Sequence, residues 1–384
     1  MTRILVAALV LGLMSPLCLA QRRDVVCRAG TGAFSATSSR GVGVEVRAQK
    51  VGKLDLRSCE ASLTWGKERL SVASAASQID LDVFEADVTG RGPAAAFQIK
   101  KSEEQCCAVY EIYALEKPPR LVRTITGGGF YRAADANLDG QIEILTNDMA
   151  AVEGFDGLTA ADVAFPPACV LRFEGGRLLD ASAEFQSYFD HVIMAVQSKI
   201  DPQLLHAFKL SDGKLQPRDA SAIAQPQDLR SVKIQILEIV WAYLYSGRDQ
   251  QAWRSLAEMW PSDDVERIRA AITAARARGV HSQADASINE IETPQNKRVR
   301  VYEAAEVTAP RAILFQLPGP SGSSRVPEGE IALDLIIDAA GKVQAATQGK
   351  EDFTFLASGW KFVPALRNGR AVACHLRLVI SFRR

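Results

Sequence analysis

Short runs of alternating apolar and polar residues fill the first half of the chain. Gly43-Val44-Glu45-Val46-Arg47, Ala61-Ser62-Leu63-Thr64-Trp65 and Val109-Tyr110-Glu111-Ile112-Tyr113 are representative, and Gly and Asp/Asn clusters separate such runs. A period of two places successive side chains on opposite faces, so these runs predict half-buried strands joined by turns. Residues 21–180 therefore read as a β-rich domain. The period then lengthens. Phe185, Phe189, Ile193 and Val196 recur at helical spacing behind Ser182 as N-cap. After a polar stretch at 210–227, Asp228 caps a helix reaching about Ser246, with Gly247 as its stop. A second helix covers Asp249–Met259, and a third starts at Ser262-Asp263 and ends at Gly279. Residues 181–280 are thus a predicted helical region. The polar, Pro/Ser/Gly-containing stretch 281–327 reads as a linker.

Alternation returns at Gly329. Ile331, Leu333, Leu335 and Ile337 share one face of a strand, and Ala339-Ala340-Gly341-Lys342 forms a hairpin turn before Val343. A short helix is expected within 351–360, and Asn368-Gly369-Arg370 marks another hairpin. The last strand has Val372, Cys374, Leu376, Leu378, Ile380 and Phe382 on one face, with Ala373, His375, Arg377, Val379 and Ser381 on the other. The predicted fold class is α+β multidomain: a β-rich N-terminal domain, a helical middle and a small αβ C-terminal domain at 328–384.

The β-rich domain contains a weak internal repeat. Asp87 to Gly92 precedes the strand Ala96-Phe97-Gln98-Ile99, and Asp135 to Gly140 precedes Ile142-Glu143-Ile144-Leu145. A period near 50 residues suggests propeller-like units, but the region has room for about three, so a compact sheet domain is expected. In the second copy, Asp135, Asn137, Asp139 and Glu143 occupy positions 1, 3, 5 and 9 of a loop, with Gly140 at 6 and Gln141 at 7. That spacing converges hard oxygen ligands, as calcium loops do. The other reading is an Asx-rich turn needing no metal. The first copy has Thr89 and Arg91 at positions 3 and 5 and is expected to be empty. The Asp-x-Asn-x-Asp-Gly pattern resembles the loop of FG-GAP/VCBS-type β repeats, which implies Ca2+ held by Asp135, Asn137, Asp139, Gln141 and Glu143.

Composition narrows the class. Apolar residues make up 47% and charged residues 23%, enough apolar surface to argue against wholesale disorder. Lys+Arg and Asp+Glu both number 45, which argues against a dedicated nucleic-acid binder. The N-terminus carries Arg3, an apolar run from Ile4 to Met14, a Ser15-Pro16 break and Cys18-Leu19-Ala20 before Gln21. This is the layout of a secretory signal over residues 1–20, and it implies an exported, periplasmic and soluble mature chain. Six cysteines then remain, and in an oxidising compartment they suggest disulfides. Cys27 with Cys59 is the natural local pair, and Cys106 or Cys107 with Cys169 is the second; buried free thiols are the alternative. No CxxC pair offers a zinc site.

The C-terminal motifs stand in a recognisable order. Ile337-Asp338-x-x-Gly341-x-Val343, the block Trp360-Lys361-Phe362-x-Pro364-Ala365, and Asn368-Gly369-Arg370-x-Val372 precede a last strand ending at Phe382. They resemble the C-terminal domain of the TonB family. The resemblance implies a protein-binding domain working with envelope or outer-membrane receptor proteins. A small sheet with an open last strand can also take up an extended peptide by strand addition, here along Leu376, Arg377, Leu378, Val379 and Ile380. From Phe353 onward there are six basic residues and no acidic one, a charge suited to an acidic partner. Trp360, Phe362 and Pro364 read as packing residues. The expected function is that of a non-enzymatic envelope protein with a C-terminal interaction domain. The alternatives are a surface-binding module using a calcium-stabilised β body, or an exported hydrolase using Asp135 and Asp139 or the Cys106-Cys107 thiols; no GxSxG, HExxH or Cys-His signature is present.

Overall fold

The computed structural model describes residues 26–51, 56–102, 106–215, 226–287, 300–315 and 329–382. The predicted export signal lies outside the described residues, as do Arg383, Arg384 and much of the predicted linker. The described residues are mixed and sheet-rich, 42% strand against 29% helix.

A short strand β1 (Cys27–Arg28) opens the chain. The strands β2 (Ala33–Thr37), β3 (Gly43–Val51), β4 (Leu56–Trp65) and β5 (Glu68–Ala76) then form a four-stranded antiparallel meander. The next seven are β6 (Gln78–Ala86), β7 (Ala94–Lys100), β8 (Ala108–Ala114), β9 (Arg120–Ala134), β10 (Glu143–Asp148), β11 (Ala168–Glu174) and β12 (Arg177–Asp180). With β1 at one edge and β13 (Ala286–Ser287) at the other, they make one nine-stranded sheet. All its neighbours are antiparallel except the β12–β13 pair. The repeat units are therefore consecutive strands of one meander. Local hairpins explain that order, since antiparallel neighbours need only short turns.

β6 is the seam of the fold. Ile79, Leu81 and Phe84 lie in a core shared with Val44, Val46 and Leu63 of the small sheet. Val83 and Ala86 join the core on the helical side. Register shifts at Leu81/Val83 and Phe84/Ala86 accompany this change of side. The disulfide Cys27–Cys59 ties β1 to β4, as the sequence predicts.

The helices pack on the large sheet and are no separate domain. Ile112, Ile125, Ile144 and Leu171 from strands share one apolar cluster with Phe189, Ile236, Trp241, Leu256 and Ile268 from helices. The reason is local: the helix Pro226–Tyr245 buries Val232, Ile236, Leu237, Ile239, Val240, Trp241 and Leu244, too wide an apolar surface for one solvent-facing helix. The helices Gln186–Gln197, Pro202–Lys209, Asp249–Met259 and Val265–Arg276 surround it.

This helix also buries Glu238, which accepts a 2.8 Å hydrogen bond from the Phe165 N–H. Burial raises its carboxyl above the ordinary 4.5. A carboxyl raised in the folded state contributes its full stability below its unfolded pKa and loses it as pH rises through the folded value. The stability from this group is therefore expected to be lower at a pH above the ordinary 4.5 than at one below it, and Glu238→Gln to flatten that slope. Urea midpoints at the two pH values check it; identical slopes in both proteins would remove Glu238 as a cause.

The C-terminal unit begins inside the stretch predicted as linker. β14 (Arg311–Leu314) pairs with β18 (Lys361–Val363), so residues 300–315 belong to this unit where a linker is expected. β15 (Gly329–Ile337), β16 (Val343–Gln348), β17 (Glu351–Asp352) and β21 (Cys374–Phe382) form a sheet in the order β17-β16-β15-β21. The short helix Thr354–Ala357 lies within the predicted 351–360. β19 (Ala365–Arg367) and β20 (Arg370–Val372) make the second predicted hairpin. Trp360 and Phe362 are 1% and 2% exposed, which places both in the core.

Candidate functional site

β21 is an edge. Its nine residues pair with β15 from Cys374↔Ile337 to Phe382↔Gly329, and no further strand lies beyond it among the described residues. Leu376, Leu378 and Ile380 pack against the core of the unit. Of the five residues predicted to bind a partner, only Arg377 and Val379 therefore turn their side chains outward. Val379 is 62% exposed, unusual for a β-branched apolar residue in a strand. Arg377 lies 4.0 Å from Asp334 across the strand pair, both largely exposed.

The chain covers the beginning of this edge itself. The Tyr302 N–H donates to the Ala373 carbonyl at 3.0 Å, and the His375 N–H donates to the Tyr302 carbonyl at 2.8 Å. The main chain of His375 thus points to the edge, and strand alternation directs Arg377, Val379 and Ser381 the same way. The Arg300 and Arg367 guanidiniums stack on the Tyr302 ring at 4.3 and 4.5 Å. Arg300 is also 3.8 Å from Glu306, so the approach to the edge carries both signs of charge.

The opposite end of the unit is clasped by the body. The hairpin tip Asp338-Ala339-Ala340-Gly341-Lys342 is buried throughout, and Ala339 and Ala340 enter the sheet–helix core. Gly341 holds a φ of +79°, and a Cβ there would lie 1.9 Å from the Phe362 carbonyl oxygen, so only glycine fits. Lys342 Nζ donates to Asp82 Oδ1 at 2.6 Å and to the Asp82 carbonyl. Lys361 Nζ donates to both carboxylate oxygens of Asp80, at 2.8 and 2.9 Å. The Arg311 guanidinium reaches Glu85 at 3.0 Å. Both lysines and both aspartates are buried, so each pair must satisfy itself.

The predicted calcium loop meets this hairpin. The Asp135 N–H donates to Asp338 Oδ2 at 3.1 Å, and Gln344 Nε2 donates to the same oxygen at 2.6 Å. Within the loop, Asp135 accepts from the N–H groups of Asp139 and Gly140 at 2.9 and 3.0 Å. Asn137 Oδ1 accepts from the Asp139 N–H, and Asp139 Oδ1 from the Gln141 N–H. Glu143 Oε2 accepts from the Ala136 N–H at 3.0 Å. All five predicted ligands thus sit on one loop, folded as a stack of Asx turns. Burial, then the neighbouring Asp338, pushes Asp135 up to about 7. Burial pushes Glu143 up to about 8. Glu143 Oε1 is buried without a hydrogen bond, 3.6 Å from Arg172 Nη1. The loop's side-chain oxygens are taken by its own N–H groups and by Arg172, and among the described residues no group of three or more His, Cys, Asp or Glu is placed to hold a metal ion.

One disulfide expectation is overturned. Cys106 bonds to its neighbour Cys107, and Cys169 is a buried free thiol on β11. Adjacency in sequence made Cys107 the nearer partner, while Cys169 points into the sheet–helix core. Burial raises the Cys169 thiol well above its ordinary range, so it stays protonated.

Sequence reasoning missed the polar contacts made over long range. Lys342–Asp82 and Lys361–Asp80 join residues 260 and 281 positions apart. His281 Nδ1 meets Asp180 Oδ2, and Asp148 accepts from the Tyr245 hydroxyl at 2.7 Å. The one available signal for the lysine clasps was the pair Asp80 and Asp82 alternating with Ile79, Leu81 and Val83, where an acid demands a partner. Comparison with family models, with curated proteins and with solved structures finds no match.

Proposed function

We propose that the chain is an exported envelope protein whose TonB-like C-terminal unit binds an extended segment of a partner protein by strand addition to β21. The observation that carries this reading is the open edge after His375: main-chain groups of Arg377, Val379 and Ser381 directed outward, beside an exposed Val379. Main-chain hydrogen bonds supply affinity in such a mode, and flanking side chains select the sequence. The disulfide Cys27–Cys59 supports an oxidising compartment such as the periplasm. By the family resemblance, the partner is an envelope or outer-membrane receptor protein.

The test titrates a short, acidic, β-branched synthetic peptide into the full chain. Binding that weakens with salt is expected, because exposed charges are screened. Val379→Pro removes an edge N–H and is expected to abolish the binding. Undiminished affinity in that variant rejects strand addition. Binding of a surface ligand that survives deletion of residues 328–384 favours the body as the binding module instead.

A second reading concerns that body. The Asp-x-Asn-x-Asp-Gly spacing supports Ca2+ in the loop, held by Asp135, Asn137, Asp139, Gln141 and Glu143, with Glu143 Oε1 exchanging its contact to Arg172 for the ion. A ligand that binds only the folded state raises its stability in proportion to the logarithm of its concentration. Millimolar calcium is expected to raise the melting temperature, and Asp139→Ala to remove the response. No shift in the wild-type chain rejects a native calcium site.

A further inference from the structure

Among the two lysine clasps, one is built differently from the other. Asp80 receives Lys361 Nζ on both carboxylate oxygens, and this symmetric contact is the geometry of an ion pair. At Asp82 the two oxygens have separate roles. Oδ1 accepts from Lys342 Nζ at 2.6 Å. Oδ2 accepts from the Tyr110 hydroxyl at 2.6 Å and from the Ala133 N–H at 2.7 Å. Two preorganised donors on one oxygen of a carboxyl group, with an amine against the other, are the elements of an acyl-transfer site.

We propose that Lys342 and Asp82 condense into an intramolecular amide that joins the C-terminal hairpin covalently to β6. One ammonium proton first passes to Asp82 Oδ1, leaving a neutral amine and a neutral carboxyl, and Nζ then attacks Cγ. Negative charge gathers on Oδ2, where the Tyr110 hydroxyl and the Ala133 N–H stabilise it. The Cγ–Oδ1 bond then breaks. Of the three protons on the ammonium, two leave with Oδ1 as water and one remains on the amide nitrogen. No oxidant, cofactor or second substrate is consumed.

Three features of the site favour the step. The first is proximity: holding amine and carboxyl together in one orientation replaces a bimolecular encounter, and well-oriented intramolecular reactions reach effective molarities on the order of 10⁵–10⁸ M. The second is burial. Lys342 and Asp82 are 7% and 5% exposed, so the released water escapes to bulk and little returns to hydrolyse the bond. Burial also lowers the Lys342 pKa, which favours the nucleophilic free amine, and raises that of Tyr110, which keeps its hydroxyl a donor; against the effect of burial, Lys342 and Lys361 hold the Asp82 carboxyl below its ordinary range, so the neutral pair is the minor form from which the step proceeds. The third is the state being replaced. A buried ion pair bears the desolvation cost of two charges, and the amide has none. Among the described residues Asp80 has no comparable donors on one oxygen, so Lys361–Asp80 remains an ion pair and serves as an internal control.

Mass spectrometry of the full wild-type chain, denatured, reduced and digested with trypsin, tests this directly. Trypsin does not cut after an acylated lysine. The expected product is peptide 70–91 joined to peptide 326–350, lighter than their sum by one water, while cleavage after Lys361 proceeds normally. Tyr110→Phe keeps both reacting groups and removes one donor to Oδ2, and it is expected to lower the joined fraction. Recovery of the peptide ending at Lys342 as the sole form, with no joined species, overturns the proposal. A joined fraction unchanged in Tyr110→Phe overturns the role given to the hydroxyl.

Discussion

Replacing Asp80 by alanine is expected to cost about 3–5 kcal/mol, because it leaves Lys361 buried without the carboxylate it is bonded to. Lys361 is 6% exposed and has both carboxylate oxygens of Asp80 as partners, with the Leu81 carbonyl completing its shell. One acceptor remains after the substitution, and one carbonyl does not neutralise an ammonium in an apolar wall. Against a typical domain stability of about 5–15 kcal/mol, this is a large fraction. The loss is expected to show locally as well, as faster amide exchange across β14 and β18, since Lys361 opens β18. Urea denaturation and hydrogen exchange measure the two effects. Pairing the change with Lys361→Met is expected to recover most of the stability, since a buried ion pair can be exchanged for apolar packing at little net cost. A single variant within about 1 kcal/mol of wild type, the ordinary range of an exposed pair, would show that the clasp is solvated. Arg377–Asp334 supplies that comparison on the same unit, with both side chains exposed and 4.0 Å apart.

Trp241→Ala is the second large effect, expected at about 3–5 kcal/mol from lost transfer energy and the cavity left behind. The indole is 2% exposed on the helix Pro226–Tyr245 and meets Phe155 edge-on, with ring centroids 5.6 Å apart. Its surroundings come from both the sheet and the helices, so no single element can close the gap by shifting. Trp253 gives the contrast. It is only half buried, with Arg269 stacked over its ring at 5.0 Å, and its replacement is expected to cost clearly less. Calorimetric melting of the two variants distinguishes them. Equal losses would mean that the helices do not share one core with the sheet.

Much of the fold was legible in the chain. The helix Asp249–Met259 has the bounds that its spacing and flanking residues predict. The turns at Ala339–Lys342 and Asn368–Arg370 form where glycine permits a left-handed backbone. Alternation along β21 sorts Leu376, Leu378 and Ile380 inward and Arg377 and Val379 outward, a division the sequence already contained. The candidate site was legible in part. The loop residues Asp135 to Glu143 lie together because they are contiguous, but nothing local indicated that their carboxyls would face their own backbone or that Asp338 would stand against them. The pairing of Cys106 with Cys107 follows their adjacency in the chain, and only the fold showed that Cys169 is held apart in the core.

What the sequence determined by itself was everything with a short physical range. Period, capping residues, turn glycines and the burial demand of an apolar helix act within a few positions, so they can be read without knowing the partner. What only the tertiary structure decided was which distant surfaces meet. It merged the β-rich and helical regions into one core, made the stretch at 300–315 part of the C-terminal unit, and plugged the hairpin at 338–342 into the body through Asp80 and Asp82. A buried charge announces that it needs a partner; which lysine arrives, some 260 or 281 residues later, is settled only by packing the whole chain.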